Sequence, residues 1–106
     1  MKARFALAFL LAAWTPARAA DEALIAAAKR EGQLTWYTTQ IVNQFARPAA
    51  ELFFKKYGIK VDYIRADAAD IVLRVTNEAK AGKVAADVVD GTTTVPSLKK
   101  QGLTAK

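Results

Sequence analysis

The sequence of 106 residues contains neither cysteine nor histidine. Without cysteine, a disulfide framework, a thiolate metal site and a thiol nucleophile are excluded within these residues. Without histidine, the chain lacks the commonest general base and the commonest metal ligand in proteins. A Ser-His-Asp triad, a Cys-His pair and a histidine metal cluster therefore cannot form.

The amino-terminal residues have the features of a secretory signal peptide. Residues 5–14 are an unbroken apolar run preceded by Lys2 and Arg4, and Ala17-Arg18-Ala19 follows Pro16 as an A-x-A cleavage site. A single membrane span is the alternative, but crossing a bilayer takes about 20 apolar residues, and this run is about half that length. We therefore predict a signal peptide over residues 1–19 and an exported mature chain over residues 20–106.

The basic character of the chain falls when the predicted signal peptide is removed. Loss of Lys2, Arg4 and Arg18 leaves 13 basic against 10 acidic residues, so the formal net charge drops from +6 to +3. The remaining basic residues lie mainly near the ends of predicted helices, where cations complement the helix dipole. No basic stripe is interleaved with aromatic residues, and we expect no binding to nucleic acid.

Helical and extended patterns alternate along the mature chain. Helical spacing and capping residues predict helices over 21–31, 43–57, 68–81 and 95–101, with N-caps at Asp21, Asp67 and Thr94. Short β-branched or aromatic runs predict strands over 33–38, 59–64 and 87–90. Crossover helices of this length require parallel strands and right-handed connections. The predicted fold is α/β, a three-layer start of a doubly wound parallel sheet with strand order 2-1-3.

Two predicted helices carry clear apolar stripes. The second has Phe45, Ala49, Leu52 and Phe53 at helical spacing, and the third has Ala68, Ile71, Val72, Val75 and Ala79. Pro48 lies near the start of the second helix, where a missing N–H costs least, although it can kink that start. In the second strand, the alternating pattern places Ile59, Val61 and Tyr63 on one side.

Polar loops follow the first and third predicted strands. With strand order 2-1-3, these two strands are neighbours and their carboxyl ends form the switch point of the sheet. The predicted ligand-binding residues are Thr38, Thr39, Gln40, Gly91, Thr92 and Thr93. Their hydroxyls, together with the unpaired N–H groups at helix starts, suit a small anion or carboxylate. Because threonine is also a common N-cap, a purely structural role remains open for each threonine.

Asp90-Gly91-Thr92 after an apolar strand resembles the first motif of haloacid-dehalogenase-type phosphatases. That motif needs a nucleophilic aspartate two positions before the second aspartate. The matching position here is Val88, so the nucleophile is missing. An exported phosphatase-type enzyme fragment is therefore kept only as an alternative.

Several segments, in this order and spacing, resemble the N-terminal part of bacterial extracellular solute-binding proteins. They are residues 34–40, 50–61, 77–82, 86–90 and 98–103, and the nearest group is the iron(III)-type family of ABC-transporter substrate-binding proteins. The resemblance implies a two-lobed periplasmic protein that closes on a small solute and delivers it to an ABC permease in the inner membrane. On that basis we predict that the chain is not an enzyme and that it holds neither a metal nor a cofactor. The resemblance also implies that the loops after the first and third strands line the solute cleft.

The chain departs from that family in two respects. Ferric-binding members often place a histidine and a glutamate where this chain has Ile41 and Thr92, so ferric ion is a less favoured solute than an organic or inorganic anion. The family's chains are several-fold longer, so we expect residues 20–106 to be the N-terminal portion of lobe 1, as a truncated fragment. Such a fragment could pair with a second copy, and a small dimerising α/β module without a small ligand is a further alternative.

Overall fold

The chain alternates helices and strands along its length. The computed structural model describes residues 16–105, with side chains from residue 21 onward; most of the predicted signal peptide therefore lies outside the described residues. The elements in chain order are helix α1 (Pro16–Glu31), strand β1 (Gln33–Thr38), a π-helical turn (Val42–Ala46), helix α2 (Arg47–Tyr57), strand β2 (Lys60–Arg65), helix α3 (Ala68–Lys80), strand β3 (Val88–Val89) and helix α4 (Thr94–Lys100).

The three strands form one parallel sheet in the order β2-β1-β3. Strand β1 pairs with β2 over its whole length, from Gln33 opposite Lys60 to Thr38 opposite Arg65. Strand β3 is shorter than predicted, because only Val88 and Val89 are in register with β1. Flanking bonds from Asp87 N–H to Thr35 O and from Asp90 N–H to Tyr37 O extend the contact at both ends. The predicted α/β fold and its strand order are confirmed.

Alternate residues of β1 face different helices, as the period of a strand requires. Tyr37 is buried in a cluster with Ile71 and Val75 of α3 and Leu98 of α4. Leu34 and Trp36 face the other way, toward a concavity that Ala50 and Phe53 of α2 also line. The sheet therefore lies between two helical layers. The predicted phase of β2 is confirmed, since Val61 and Tyr63 are half-buried while Lys60 and Asp62 are exposed. The predicted phase of α3 is confirmed by the burial of Ile71 and Val75.

The start of the second helix differs from its prediction because a π-helical turn precedes it. The N–H groups of Ala46 and Arg47 bond to carbonyls five residues back, on Ile41 and Val42, and Pro48 has no N–H to continue an α-helical ladder. A π turn adds a residue and shifts the apolar stripe. Ala46 and Ala50 are buried, whereas Phe45 and Leu52, both expected in the stripe, are exposed.

The predicted caps are largely wrong in detail. Helix α1 begins at Pro16, so Asp21 lies inside a helix. Asp67 does occupy the N-cap of α3, but its carboxylate makes no capping bond and pairs with Arg65 at 3.2 Å. Thr94 is the first residue of α4, after an N-cap at Thr93. None of the helices described between residues 16 and 105 is both long enough and apolar enough to cross a bilayer.

Candidate functional site

The loops after β1 and β3 are joined by the side chain of Asp90. Because β1 and β3 are paired in parallel, their carboxyl ends lie side by side at one edge of the sheet. Thr38 Oγ1 (2.5 Å) and Trp36 Nε1 (2.9 Å) donate hydrogen bonds to Asp90 Oδ2. The N–H and the hydroxyl of Thr39 both donate to Asp90 Oδ1 at 2.8 Å. Four donors from one strand end therefore converge on a carboxylate from the other.

These hydrogen bonds decide the ionisation of Asp90. Burial by itself would raise the pKa of this carboxyl, but the hydrogen bonds from Thr38, Thr39 and Trp36 outweigh it and hold the pKa below the ordinary value of an aspartate. Asp90 is therefore a carboxylate at neutral pH. Its charge is stabilised by hydrogen-bond donors at the edge of the sheet.

The structure brings the six predicted site residues to this one edge, but in different environments. Thr38 is fully buried, and its hydroxyl also accepts a bond from Gln40 N–H at 2.9 Å. Thr39 is half-buried against Asp90. Gln40, Thr92 and Thr93 are exposed. Gly91, which follows Asp90 in the chain, is half-buried. Thr38 thus holds the loop from inside, and the exposed polar groups are those that a solute can reach.

Gly91 is required by the backbone of the loop after β3. Its φ angle is +124°, a conformation that residues with a side chain rarely adopt. A Cβ atom at this position would lie 2.5 Å from Thr94 Oγ1 and 3.2 Å from the methyl carbon of Thr39. The two loops therefore touch through the space that glycine leaves. Thr94 Oγ1 is buried there without a hydrogen-bond partner in the described part of the chain.

The backbone of the same loop has free donors. Within the described residues, the N–H groups of Thr92 and Thr93 make no intramolecular hydrogen bond, and the first such bond of this turn runs from Val95 N–H to Gly91 O. Both residues are exposed. We call the exposed polar groups of these two loops the wall. It consists of the free N–H groups and hydroxyls of Thr92 and Thr93 and the amide of Gln40.

Asp90 is the site residue that sequence patterns did not reveal. An aspartate before glycine is ordinary turn punctuation, and the hydroxyls of Thr38 and Thr39 were expected to serve a solute. The available signal was the position of a carboxylate at the end of a parallel strand, beside a neighbouring strand end that carries donors. The structure shows that these donors serve Asp90.

A second carboxylate is fixed on the α3 face of the sheet. Tyr37 donates its hydroxyl to Glu78 Oε1 at 2.6 Å, and Ala85 N–H donates to Oε2 at 3.2 Å. Arg74 lies 3.4 Å from Glu78 and stacks over the Tyr37 ring at 5.0 Å. Burial would raise the pKa of Glu78, but the bonds from Tyr37, Ala85 and Arg74 lower it. For Tyr37, burial and the bond to Glu78 raise the pKa.

Among the residues that the structure describes, no group of three or more acidic, histidine or cysteine side chains lies close enough to hold a metal ion. Comparison of the chain with protein-family models, with curated proteins and with solved structures finds no match.

Proposed function

We propose that the chain is the lobe 1 portion of a periplasmic solute-binding component of an ABC importer. Its role is to supply one wall of a solute cleft, formed by the loops after β1 and β3. The observation that carries the proposal is their junction at Asp90, at the carboxyl edge of a sheet with order β2-β1-β3. In open α/β sheets, ligands bind in the crevice at this edge, where the strand order reverses.

The exposed groups of the wall suit a small organic solute held by hydrogen bonds. Gln40 offers an amide, while Thr92 and Thr93 offer hydroxyls and free N–H groups. Neutral hydroxyls are weak ligands for a hard cation such as ferric ion, which prefers carboxylate or phenolate oxygens. The second wall of the cleft is expected from a second lobe, and the partner in the membrane is the permease of the importer.

A second candidate function follows from the apolar surface of the chain. Ile41, Phe45, Leu52 and Phe54 are each more than half exposed, at 62%, 52%, 67% and 57%. Exposed apolar side chains of this size favour a protein partner, and a second copy of this chain is the alternative to a second lobe. A small dimerising module would then need no solute.

Thermal unfolding of the full 106-residue chain, with and without small solutes, tests the proposal. The probes are sulfate, citrate, ferric citrate, glucose and 1,4-diaminobutane, and a solute that binds the folded state raises the Tm. We expect at least one organic probe to raise the Tm. A double variant, Thr92→Val with Thr93→Val, removes two hydroxyls at similar volume and is expected to weaken that binding about tenfold, the effect of one to two hydrogen bonds.

Thr104→Val is the matched control, because Thr104 lies after α4 and lines a cavity to which none of the six predicted site residues contributes. It should leave the solute response unchanged. A chain that responds to no probe and forms a stable dimer by light scattering would contradict solute binding and support the dimerising module.

A further inference from the structure

The donors that surround Asp90 are the groups that an external anion would need. A carboxylate offers about four acceptor positions, and Asp90 receives four hydrogen bonds, two on each oxygen. The hydroxyls of Thr38 and Thr39 therefore point their protons inward, at a carboxylate that belongs to the protein. An anionic solute at this wall finds the hydroxyl donors of Thr38 and Thr39 already in use.

The same bonds leave the oxygens of these hydroxyls as acceptors. A hydroxyl that donates its proton still has lone pairs to offer, and donation to an ionised group strengthens it as an acceptor. Thr38 Oγ1 already uses this capacity for Gln40 N–H. The half-buried Thr39 hydroxyl keeps it for a group at the surface. The Thr39 hydroxyl thus offers an acceptor to a solute. Without its bond to Asp90, the same hydroxyl would be free to donate.

No cation balances Asp90 among the side chains described from residue 21 to 105. The ion pairs there are Lys60 with Asp62, Arg65 with Asp67 and Arg74 with Glu78. The charge of Asp90 therefore acts on the wall without a protein counter-charge. A negative solute is repelled by it and a positive one attracted, and the interaction is strong in a partly desolvated cleft.

We propose that Asp90 selects for small solutes that bring hydrogen-bond donors, amines above all, and selects against anions. The inference rests on the proposed function, and it revises the anion expected from sequence. Asp90 is a positioning residue. Because protein donors fill its acceptor positions, it acts on a solute through the Thr39 hydroxyl and through the electrostatic field of its charge. The free N–H groups of Thr92 and Thr93 remain as donors, so neutral solutes bind with intermediate strength.

Three probes with the same four-carbon skeleton test this selection on the full chain: 1,4-diaminobutane, 1,4-butanediol and succinate. Their affinities are measured by NMR titration at pH 7 and low ionic strength, with the N–H signals of Gln40, Thr92 and Thr93 as reporters. We expect the diamine to bind best, the diol next and succinate at least about tenfold weaker than the diamine. The preference for the diamine should shrink as NaCl is added.

Substitution of Asp90 supplies the second arm of the test. Asp90→Asn removes the charge at constant shape, and the ratio of diamine to succinate affinity is expected to fall at least about fivefold. Asp87→Asn is the matched control, because Asp87 is an exposed carboxylate beside the same strand and accepts a hydrogen bond from Thr35 N–H. It should change the ratio little.

The outcomes separate the inference from the proposed function. Binding of none of these probes, nor of those used for the thermal test, overturns both. Succinate binding as well as the diamine, in the wild-type chain, overturns the selection and leaves solute binding intact. An unchanged ratio in folded Asp90→Asn also overturns it. Should circular dichroism show that Asp90→Asn does not fold, the wild-type order and its salt dependence decide the matter alone.

Discussion

Two carboxylates are held by strand β1, one on each face of the sheet, and they are held differently. Glu78 accepts hydrogen bonds from Tyr37 and Ala85 and has a cation, Arg74, beside it. Asp90 accepts four hydrogen bonds, from Trp36, Thr38 and Thr39, and has no ion pair in the described part of the chain. Neighbouring residues of β1 therefore donate hydrogen bonds to two carboxylates. Among the described residues, Glu78 is paired with a cation and Asp90 is not.

The difference separates a structural tie from a candidate binding feature. Glu78 connects α3 to β1 over the core cluster, and its charge is balanced within the fold. Asp90 connects two loops at the edge of the sheet. Its charge has no ion pair among the described residues, so it acts on any charged group that approaches that edge. A carboxylate without a cation beside it attracts a positive group that approaches it. Four experiments test whether the two carboxylates and the loops that carry them differ as this comparison requires.

The largest effect is expected from adding a methyl group at Gly91, in the loop that carries Asp90. Gly91→Ala forces an alanine to a positive φ and places its Cβ 2.5 Å from Thr94 Oγ1, so we expect a loss of about 3 kcal/mol or more in the free energy of unfolding. Urea unfolding followed by tryptophan fluorescence measures it, with Trp36 as a reporter bonded to Asp90.

Gly82→Ala is the matched control on the Glu78 side. Gly82 has a φ angle of +94°, but no atom lies within 4 Å of where its Cβ would be. This substitution costs only the backbone strain, about 1 kcal/mol. Equal losses at Gly82 and Gly91 would show that the close approach of the two loops does not constrain the fold.

The next effect is expected from making each carboxylate neutral at constant shape. Asp90→Asn turns an NH2 group toward donors that need an acceptor, and we expect a loss of about 2 kcal/mol at pH 7. Glu78→Gln keeps one acceptor for Tyr37 and is expected to cost about 1 kcal/mol. Urea unfolding at pH 7 measures both losses.

Acidification of the wild-type chain tests the same pair of groups. Both carboxyls have a pKa below the ordinary value, so each contributes stability that is present above the pKa of the unfolded state. That contribution is lost as the pH falls through the pKa of the folded state. The wild-type chain should therefore lose more stability than either variant between pH 7 and pH 3. A variant whose acid profile matches the wild type would show that its carboxyl is not stabilised as an anion.

Most of the fold could be predicted because local patterns and topology agree. The span of β1 follows from its β-branched and aromatic residues, and the spacing of Ile71 and Val75 follows from helical periodicity. The parallel direction of the strands follows from the length of the crossovers. The start of α2 could not be predicted, since a π turn changes the phase of the helix without changing its composition. Ala46 and Ala50 consequently replace Phe45 as buried residues.

The meeting of the two polar loops follows from the sequence, whereas the acceptor of the Thr38 and Thr39 hydroxyls does not. Two polar loops at neighbouring strand ends are visible in the sequence, and the structure brings them together at Asp90. The direction of each hydroxyl proton depends on which acceptor lies across the sheet edge, and that acceptor is 52 positions further along the chain for Thr38. No local pattern contains this information, so the donors were assigned to a solute.

The smallest effect is expected from making Glu78 resemble Asp90. Arg74→Gln removes the cation and leaves the donors Tyr37 and Ala85 in place. The Arg74–Glu78 contact is 3.4 Å long with half of the arginine side chain exposed, and such a pair contributes about 0.5 kcal/mol; stacking on Tyr37 adds a similar amount. We therefore expect a loss of about 1 kcal/mol by urea unfolding at low ionic strength, and a smaller loss in 1 M NaCl.

A loss above about 2 kcal/mol, unchanged by salt, would mean that the cation and not the donors holds Glu78. An uncompensated carboxylate would then be costly in this fold, and Asp90, which has no ion pair in the described chain, would need a positive group from a solute or a second lobe to be stable.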